Sequence, residues 1–290
     1  MVKEIDGVPQ DPQSANDYED RASQAVKKVL LDLGQLLGSY RDSVAIIGGS
    51  VPWLLLTEGD EPHVGTLDID IALDHEALAH DEYALLIETL MSNGYQQSDD
   101  LRVFQLGRKV KVDDRDEIRV VVDFLMAREA QPVKNSPPLV PNFAVIKASG
   151  ADLALNFNQK IELSGEMLQG GKNTVQLTVC SIPAFLAMKG FAINNRRKAK
   201  DAYDIYYSIR HFPGHIEALA AACLPILEQA NGLTGFRHIA EKFATEDNFG
   251  PTMVRAFVEE SAILAGRTPA QWQTDAFGQV DALMQALKLR

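Results

Sequence analysis

The chain of 290 residues is acidic, with a net charge of −12 and a pI near 5.0, and 46% of it is hydrophobic. This charge argues against broad nonspecific binding to nucleic acids, which relies on many Lys and Arg side chains. No apolar run is long enough for a membrane helix, and the polar, acidic N-terminus is unlike a signal peptide. Two cysteines, Cys180 and Cys223, are too few for a disulfide framework and fit a reducing compartment, so we expect a cytoplasmic protein.

The first part of the chain is predicted to alternate between helices and strands. Residues 1–16 are expected to form a flexible tail, and apolar residues then recur at helical spacing from Asp17 to a stop at Gly38. The elements that follow are a strand over 44–47, a short helix over 50–56, a loop over 59–65, a strand over 67–73 and a helix over 76–93 closed by Gly94.

The centre of the chain is predicted to be extended and its last third helical. The expected strands are a hairpin of 102–106 and 109–112 around Gly107, then 118–125, 153–163 and 174–179, with a Pro-rich connection over 132–141. The expected helices are 183–194, 198–211 and 216–229, with several more up to the C-terminus. We therefore predict an α+β protein with an α/β domain over 17–180 and a helical domain over 181–290.

Two acidic residues, Asp68 and Asp70, lie two positions apart in a predicted strand. Because strand side chains alternate between the two faces of a sheet, both carboxylates project from one face. Close carboxylates repel each other and are costly to bury unless a cation or solvent reaches them. Their oxygens suit Mg²⁺, with Mn²⁺ as an alternative, because Mg²⁺ commonly takes one or two protein carboxylates together with substrate phosphates. A solvated strand face is the other interpretation of this pair.

The sequence Gly-Gly-Ser at 48–50 follows the predicted strand over 44–47. Flexible backbone leading into a helix N-terminus is typical of phosphate sites, since unpaired N–H groups there face the anion. The other interpretation is a tight turn from strand to helix with Ser50 as N-cap, which requires the same residues, so the two interpretations are compatible. With Thr66 just before the acidic pair, the combination predicts metal-assisted phosphoryl or nucleotidyl transfer.

A third acidic residue, Asp123, lies in the strongly apolar strand over 118–125. An unpaired buried carboxylate is costly, so Asp123 needs a partner. If its strand lies beside the strand of Asp68 and Asp70, Asp123 would be a third acidic group of the metal site or the base that activates a hydroxyl. The alternative is an Asp at a strand end that faces solvent or pairs with an Arg.

A charged cluster follows in the helical part. Lys189 lies in an apolar segment, where a lysine either reaches the surface or points to an anion such as a triphosphate. Asp201 and Asp204 share a helix face and would hold Lys189 or the pair of Arg196 and Arg197 in place, or form an interhelical salt bridge without a catalytic role. The best candidates to contact a phosphate-bearing acceptor are the cations Arg196, Arg197, Lys198 and Lys200. The alternative is that these four residues form the solvated start of a helix. The histidines show no metal spacing, and His63 is expected in a loop.

These residues resemble a known family. Gly48-Gly49-Ser50 followed by Asp68-Ile69-Asp70 resembles motif I of the DNA polymerase β-like nucleotidyltransferases. Lys189 and the segment 197–205 resemble the helical motifs of the AbiEii-type branch, which are nucleotidyltransferase toxins of bacterial toxin–antitoxin and phage-defence systems. The resemblance spans about residues 20–215, and the seventeen residues between Ser50 and Asp68 form a longer insert than is usual in the family.

The resemblance implies a fold and a set of roles. The fold is a polymerase-β-like mixed sheet with flanking helices, followed by a C-terminal helical domain. Asp68 and Asp70 would bind Mg²⁺, and Asp204 would support the site. The residues expected around the nucleoside triphosphate are Gly48, Gly49, Ser50, Thr66 and Lys189.

Together these features predict Mg²⁺-dependent transfer of a nucleoside monophosphate from a nucleoside triphosphate to a hydroxyl, with release of pyrophosphate. The resemblance favours an RNA acceptor, because some relatives extend the 3′ end of tRNA, and it implies a cognate antitoxin. A protein hydroxyl and an antibiotic are alternative acceptors. Outside enzymes, the alternative is a nucleotide-binding module that regulates a partner. The intact pair of Asp68 and Asp70 argues against such a module, which does not need both carboxylates.

Overall fold

The computed structural model describes residues 14–18, 20–57, 61–74, 80–113, 116–127, 146–259 and 261–290. Its strands are β1 (Val44–Ile47), β2 (Asp68–Leu73), β3 (Gln105–Val110), β4 (Ile118–Ala127), β5 (Ile146–Ala148), β6 (Asn158–Glu166) and β7 (Lys172–Cys180). Its helices are α1 (Asp20–Leu36), α2 (Ser50–Leu55), α3 (His80–Ser92), α4 (Ala151–Asn156), α5 (Ile182–Asn195), α6 (Ala199–Arg210), α7 (His215–Leu227), α8 (Ala230–Lys242), α9 (Phe249–Val258) and α10 (Pro269–Ala286). The predicted connection over 132–141 and most of the predicted tail lie outside the described residues.

The chain divides into two compact units. The sheet unit consists of Asp20–Ser50 and Gly65–Ser181, and the helical unit consists of Val51–Val64 and Ile182–Arg290 with the described N-terminal residues 14–18. The segment Val51–Val64, which lies between two parts of the sheet unit along the chain, thus belongs to the helical unit. The predicted domain limits of 17–180 and 181–290 stay a prediction.

The sheet unit is built on one mixed sheet. Its strand order is β3-β4-β2-β1-β7-β6, and β5 pairs with β4. The pairs β2–β4, β1–β7 and β4–β5 are parallel, whereas β1–β2, β3–β4 and β6–β7 are antiparallel. This mixed sheet, together with the helices, confirms the predicted fold class of a mixed sheet with flanking helices and helices towards the C-terminus.

Helix α1 covers one face of the sheet. Its apolar residues recur at helical spacing and are buried, and Gly34 allows a close approach, because a Cβ there would lie 2.6 Å from Val175 Cγ2. Val175 and Val179 share a face of β7, and the register relates Val179 to Ile46 and Ile46 to Ile71. The helix therefore covers the face that carries Ile71, and the aspartates of β2 project from the opposite face.

Two predictions in the middle of the chain were wrong. The expected hairpin around Gly107 is the single strand β3, in which Gly107 lies opposite Val121. Gly107 lies at a close side-chain contact instead of a turn, since a Cβ there would lie 2.9 Å from Arg119 Cδ. The expected strand over 153–163 is helix α4 followed by β6, because the short apolar run that begins at Ala151 satisfies either period.

The helical unit has its predicted elements within about two residues of the expected limits. Helix α5 is apolar on nearly every side and is buried, as expected for a central helix. It meets α8 backbone to backbone, because a Cβ at Gly190 would lie 1.9 Å from the carbonyl oxygen of Gly235. Within the described ranges, no helix has the length and hydrophobicity required to cross a bilayer.

Candidate functional site

Three carboxylates lie on one face of the sheet where β2 and β4 run side by side. The parallel register pairs Asp70 with Asp123 and Asp68 with Val121. All three aspartates are partly exposed, whereas Ile69, which separates Asp68 from Asp70, is fully buried on the other face. The strand of Asp123 is therefore the neighbour of the strand that carries the acidic pair, which meets the condition for its placement near Asp68 and Asp70.

Two of these carboxylates accept hydrogen bonds from neutral side chains. The Thr66 hydroxyl donates to Asp68 Oδ1 at 2.9 Å, and the Gln105 amide, directly across the sheet on β3, donates to Asp123 Oδ1 at 2.8 Å. Neutral donors orient a carboxylate without cancelling its charge. These two bonds therefore leave the negative potential of this face in place.

The turn after β1 brings the backbone against the third carboxylate. Gly48 has φ of +68°, and a Cβ at this position would lie 1.8 Å from Asp70 Oδ2. Glycine is required here for two reasons, because other residues disfavour this φ and any side chain would displace the carboxylate. Gly49 is half-buried in the same turn, and Ser50 is the first residue of α2. The Ser50 hydroxyl is buried and has no hydrogen-bond partner among the described residues.

The chemistry of this face suits a divalent cation that completes its shell with substrate. Across the described part of the chain, no group of three or more His, Cys, Asp and Glu side chains is arranged to hold a metal ion. The predicted metal ligands are the two carboxylates of Asp68 and Asp70. Two carboxylates fit Mg²⁺, which usually keeps several waters or phosphate oxygens as its remaining ligands.

The helical unit contains a buried cluster of charges between α5 and α6. Lys189 Nζ lies 2.7 Å from Asp201 Oδ1 and 2.8 Å from Asp204 Oδ2. Asp201 also accepts hydrogen bonds from Arg196, at 2.7 and 3.0 Å. Asp204 Oδ1 receives Lys200 Nζ at 2.7 Å and contacts His63 Nε2 at 3.0 Å. Both aspartates therefore contact Lys189 and join α5 to α6, an arrangement that the supporting role and the interhelical salt bridge have in common.

The cluster shifts the pKa values of Lys189, Asp201 and Asp204. Burial raises the pKa of Asp201, but Lys189 and Arg196 outweigh it and bring the pKa down to about 2. Burial acts in the same way on Asp204, where Lys189 and Lys200 hold the pKa well below its usual value. Burial lowers the pKa of Lys189, but the two aspartates outweigh it and raise the pKa above its ordinary value. All of these groups are ionised at neutral pH.

The predicted acceptor-binding cations do not share one environment. Arg197 is exposed and Lys198 is half-exposed. The Arg196 side chain is 56% exposed and binds Asp201, whereas Lys200 is only 5% exposed and is held by Asp204. Lys200 therefore belongs to the buried cluster, and only the other three positions reach solvent.

Sequence reasoning missed His63 as a member of this cluster. It lies in the loop before β2, as expected, but it is 7% exposed, and its ring packs on Tyr203 and Tyr207. Burial and the nearby ammonium of Lys200 lower the pKa of His63 to about 4, so the ring is neutral and donates its Nε2 proton to Asp204. A single histidine in a loop carries no local signal of such a contact.

A family model described as "Nucleotidyl transferase AbiEii toxin, Type IV TA system" matches residues 60–285. The chain belongs to this family. As a member of the AbiEii family, it is a nucleotidyltransferase of the toxin type. The match includes Asp68, Asp70, Lys189 and Asp204, and it starts after Gly48. It also runs through the last helices, in which sequence reasoning identified no motif.

Solved structures similar to this AbiEii family member include a nucleotidyltransferase-like antigenic protein from Paracoccidioides brasiliensis, at 18% identity and a TM-score of 0.41, covering 72% of this chain and 93% of that one. JHP933 from Helicobacter pylori has 12% identity and a TM-score of 0.45, with coverage of 92% and 94%. Another H. pylori structure, named for nucleotidyltransferases, has 13% identity and a TM-score of 0.45, with coverage of 92% and 98%. The chain has no match among curated proteins. The family assignment rests on the family model alone.

Proposed function

We propose that this protein transfers a nucleoside monophosphate from a nucleoside triphosphate to the 3′ hydroxyl of an RNA, with tRNA as the favoured acceptor. The observation that carries the proposal is the acidic face of the sheet. There Asp70 lies beside Asp123 on the neighbouring strand, and the glycine turn at Gly48 brings backbone against the carboxylate. A cation and a polyphosphate are the ligands that suit such a combination.

In this mechanism Asp68 and Asp70 would hold Mg²⁺, which supplies positive charge to the phosphates when bound. The acceptor oxygen forms a bond to the α-phosphorus, and the bond from that phosphorus to the bridging oxygen breaks, so pyrophosphate leaves. Asp123 orients the acceptor hydroxyl and takes its proton. Gly49 and Ser50 contact the phosphates through backbone N–H groups and the Ser50 hydroxyl.

The helical unit supplies the remaining roles in the proposal. Lys189 adds positive charge for the leaving pyrophosphate, and Asp204 supports Lys189. Arg196, Arg197 and Lys198 contact the RNA backbone, as exposed cations do. A cognate antitoxin is the expected protein partner, since the family is described as part of a Type IV toxin–antitoxin system.

The test is transfer of label to RNA. Purified protein is incubated with Mg²⁺, total bacterial RNA and each labelled nucleoside triphosphate in turn. Asp68→Asn and Asp70→Asn are expected to abolish labelling and pyrophosphate release while the melting temperature stays near that of the wild type, because removing one of two repelling charges does not harm folding. Asp99→Asn, an exposed aspartate of the same unit, is the matched control and keeps full activity.

Each outcome has a defined meaning. A labelled band of tRNA size in the wild type and in Asp99→Asn alone supports the proposal and identifies the nucleotide. Pyrophosphate release without labelled RNA overturns the RNA acceptor and favours a protein hydroxyl or a small molecule such as an antibiotic. Full activity of either Asp68→Asn or Asp70→Asn overturns the proposed metal ligands.

A further inference from the structure

We propose that His63 is a positioning residue, whose ring N–H fixes the Asp204 carboxylate in the orientation that holds Lys189. The inference rests on the proposed function, in which Lys189 serves the triphosphate. No comparison assigns a role to His63, and nothing in its local sequence marks it. The two oxygens of Asp204 are shared among Lys189, Lys200 and His63.

His63 is the donor in its hydrogen bond with Asp204. His63 Nε2 lies 3.0 Å from Asp204 Oδ1, and both side chains are almost completely buried, at 1% and 0% exposure. An ionised carboxylate can only accept, so the proton of this hydrogen bond belongs to the imidazole. His63 is therefore the Nε2–H tautomer, and it contributes a neutral donor to a cluster whose other donors to the aspartates are cations.

The two carboxylate oxygens of Asp204 have different partners. Oδ1 receives both Lys200, at 2.7 Å, and His63, whereas Oδ2 lies 2.8 Å from Lys189 Nζ. Rotation of the carboxylate about its Cβ–Cγ bond would break both contacts of Oδ1. His63 and Lys200 thus fix Oδ2 at Lys189, and Asp201 Oδ1 holds the other side of the same ammonium at 2.7 Å.

The imidazole of His63 is held in place by two tyrosine rings. Its ring lies against Tyr207 edge-on, with centroids 4.8 Å apart, and against Tyr203, with centroids 5.5 Å apart. The Tyr207 hydroxyl donates to the backbone carbonyl of Glu61 at 2.9 Å, two residues before His63. A ring held in this way points its N–H in one direction, which is what a positioning group requires.

The competing interpretation is that His63 only fills space between the tyrosines. Two substitutions separate the two roles. His63→Phe keeps an aromatic ring and removes the donor, whereas His63→Gln keeps an N–H at a similar reach and removes the ring. His238→Phe is the matched control, because His238 packs edge-on against Phe191 in the same unit, with centroids 5.5 Å apart, and is not a member of the ion pairs and hydrogen bonds described above for the cluster.

The experiment measures kcat and KM for the nucleoside triphosphate through pyrophosphate release, with the melting temperature of each variant. We expect His63→Phe to lose about 10–100-fold in kcat/KM, as is common when a group that orients a functional residue is removed. His63→Gln should recover most of that loss, and His238→Phe should match the wild type. A folded His63→Phe variant with the kcat/KM of the wild type overturns the inference. The inference is also overturned if His63→Phe and His63→Gln have equal melting temperatures and lose kcat/KM equally.

A second measurement does not depend on activity. Histidine ¹⁵N chemical shifts should identify His63 in the wild type as the Nε2–H tautomer, and acetylation of Lys189 by acetic anhydride should be faster in His63→Phe than in His238→Phe. A different tautomer or unchanged Lys189 acetylation overturns the inference even if a variant folds poorly. A wild type that releases no pyrophosphate with any nucleoside triphosphate refutes the proposed function, and the role of His63 is then judged from these two readouts.

Discussion

At the scale of single residues, the acidic face depends on backbone as much as on carboxylates. Gly48 leaves room for Asp70 because it has no Cβ, and Thr66 directs the carboxylate of Asp68. Gln105, which sequence reasoning did not select, orients Asp123 from the neighbouring strand. Small and neutral residues therefore arrange the charged groups without offsetting their charge.

Substitution of Gly48 tests this dependence. In Gly48→Ala the new Cβ would fall 1.8 Å from Asp70 Oδ2, so the carboxylate or the turn must move. We expect nucleotidyl transfer to fall by at least about tenfold, because misplacing a reacting group by about 1 Å can cost 100-fold. Pyrophosphate release and the melting temperature are the measurements.

The control for Gly48 is Gly170→Ala. Gly170 also has a positive φ, of +84°, but nothing lies within 4 Å of a Cβ at that position. This variant carries the backbone strain without the clash, so it should lose a little stability and no activity. Equal activity of the two variants would show that the contact between Gly48 and Asp70 has no functional importance.

At the scale of elements, charge joins α5 to α6. Lys189 projects from an otherwise apolar helix and is held by two carboxylates, and Asp201 additionally binds Arg196. Buried ion pairs add little net stability compared with apolar packing. Removing one partner is nevertheless costly, because it leaves the other charge buried without compensation. The cluster therefore makes the fold of these two helices depend on every partner being present.

Asp201→Asn measures that dependence. The substitution leaves Lys189 with one carboxylate in a buried position, so we expect the free energy of unfolding to fall by about 3–5 kcal/mol. Urea unfolding followed by circular dichroism gives this quantity. Glu259→Gln is the control, because its ion pair with Arg255 is 3.6 Å long and exposed, and such pairs contribute about 0–1 kcal/mol. A loss in Asp201→Asn no larger than in the control would contradict the structural importance of the cluster.

At the scale of the whole molecule, the chain forms two compact units, and the short segment Val51–Val64 belongs to the helical one. The insert between Ser50 and Asp68 is thus not a simple surface loop. It contributes α2, the His63 contact with Asp204, and Glu61, whose carboxylate lies 2.9 Å from Arg267. Most of the residues between Ser50 and Asp68 therefore belong to the helical unit.

Global stability should fall on acidification in two stages. The folded-state pKa of His63 is about 4, below its ordinary 6.5, so between these values the unfolded chain binds more protons and stability falls as the pH falls. Asp201 has a folded pKa of about 2, below its ordinary 3.8, so it contributes stability above pH 3.8 that is lost as the pH falls towards 2.

Urea unfolding between pH 7.5 and pH 4.5 tests the first stage. His63→Gln should show a shallower loss than the wild type across pH 6.5 to 4.5, because the variant lacks this proton-binding group. Some dependence of stability on pH should remain in His63→Gln because of His211. Burial and Arg210 lower the pKa of His211, so this histidine also makes stability fall as the pH falls. Identical slopes in the two proteins would mean that His63 does not titrate as this environment requires.

Sequence alone determined the local features of this protein. Alternation along β2 put Asp68 and Asp70 on one face, and helical periodicity after Ser181 predicted α5 to α7. Lys189 and the segment 197–205, together with the Gly-Gly-Ser and Asp-x-Asp motifs, indicated the AbiEii family that the family model confirms. These features depend on residues that are close together in the sequence, because side chains repeat every two residues along a strand and every 3.6 residues along a helix.

Only the tertiary structure decided which distant residues meet. In the structure Asp70 pairs with Asp123, and Gly107 lies within a strand. Lys200 is buried, and His63 contacts Asp204, which lies 141 positions further along the chain. Gly107 could not be assigned from sequence because a glycine serves a turn or a close contact equally well. His63 could not be assigned because its environment consists of side chains that are distant in sequence, and local patterns carry no information about such contacts.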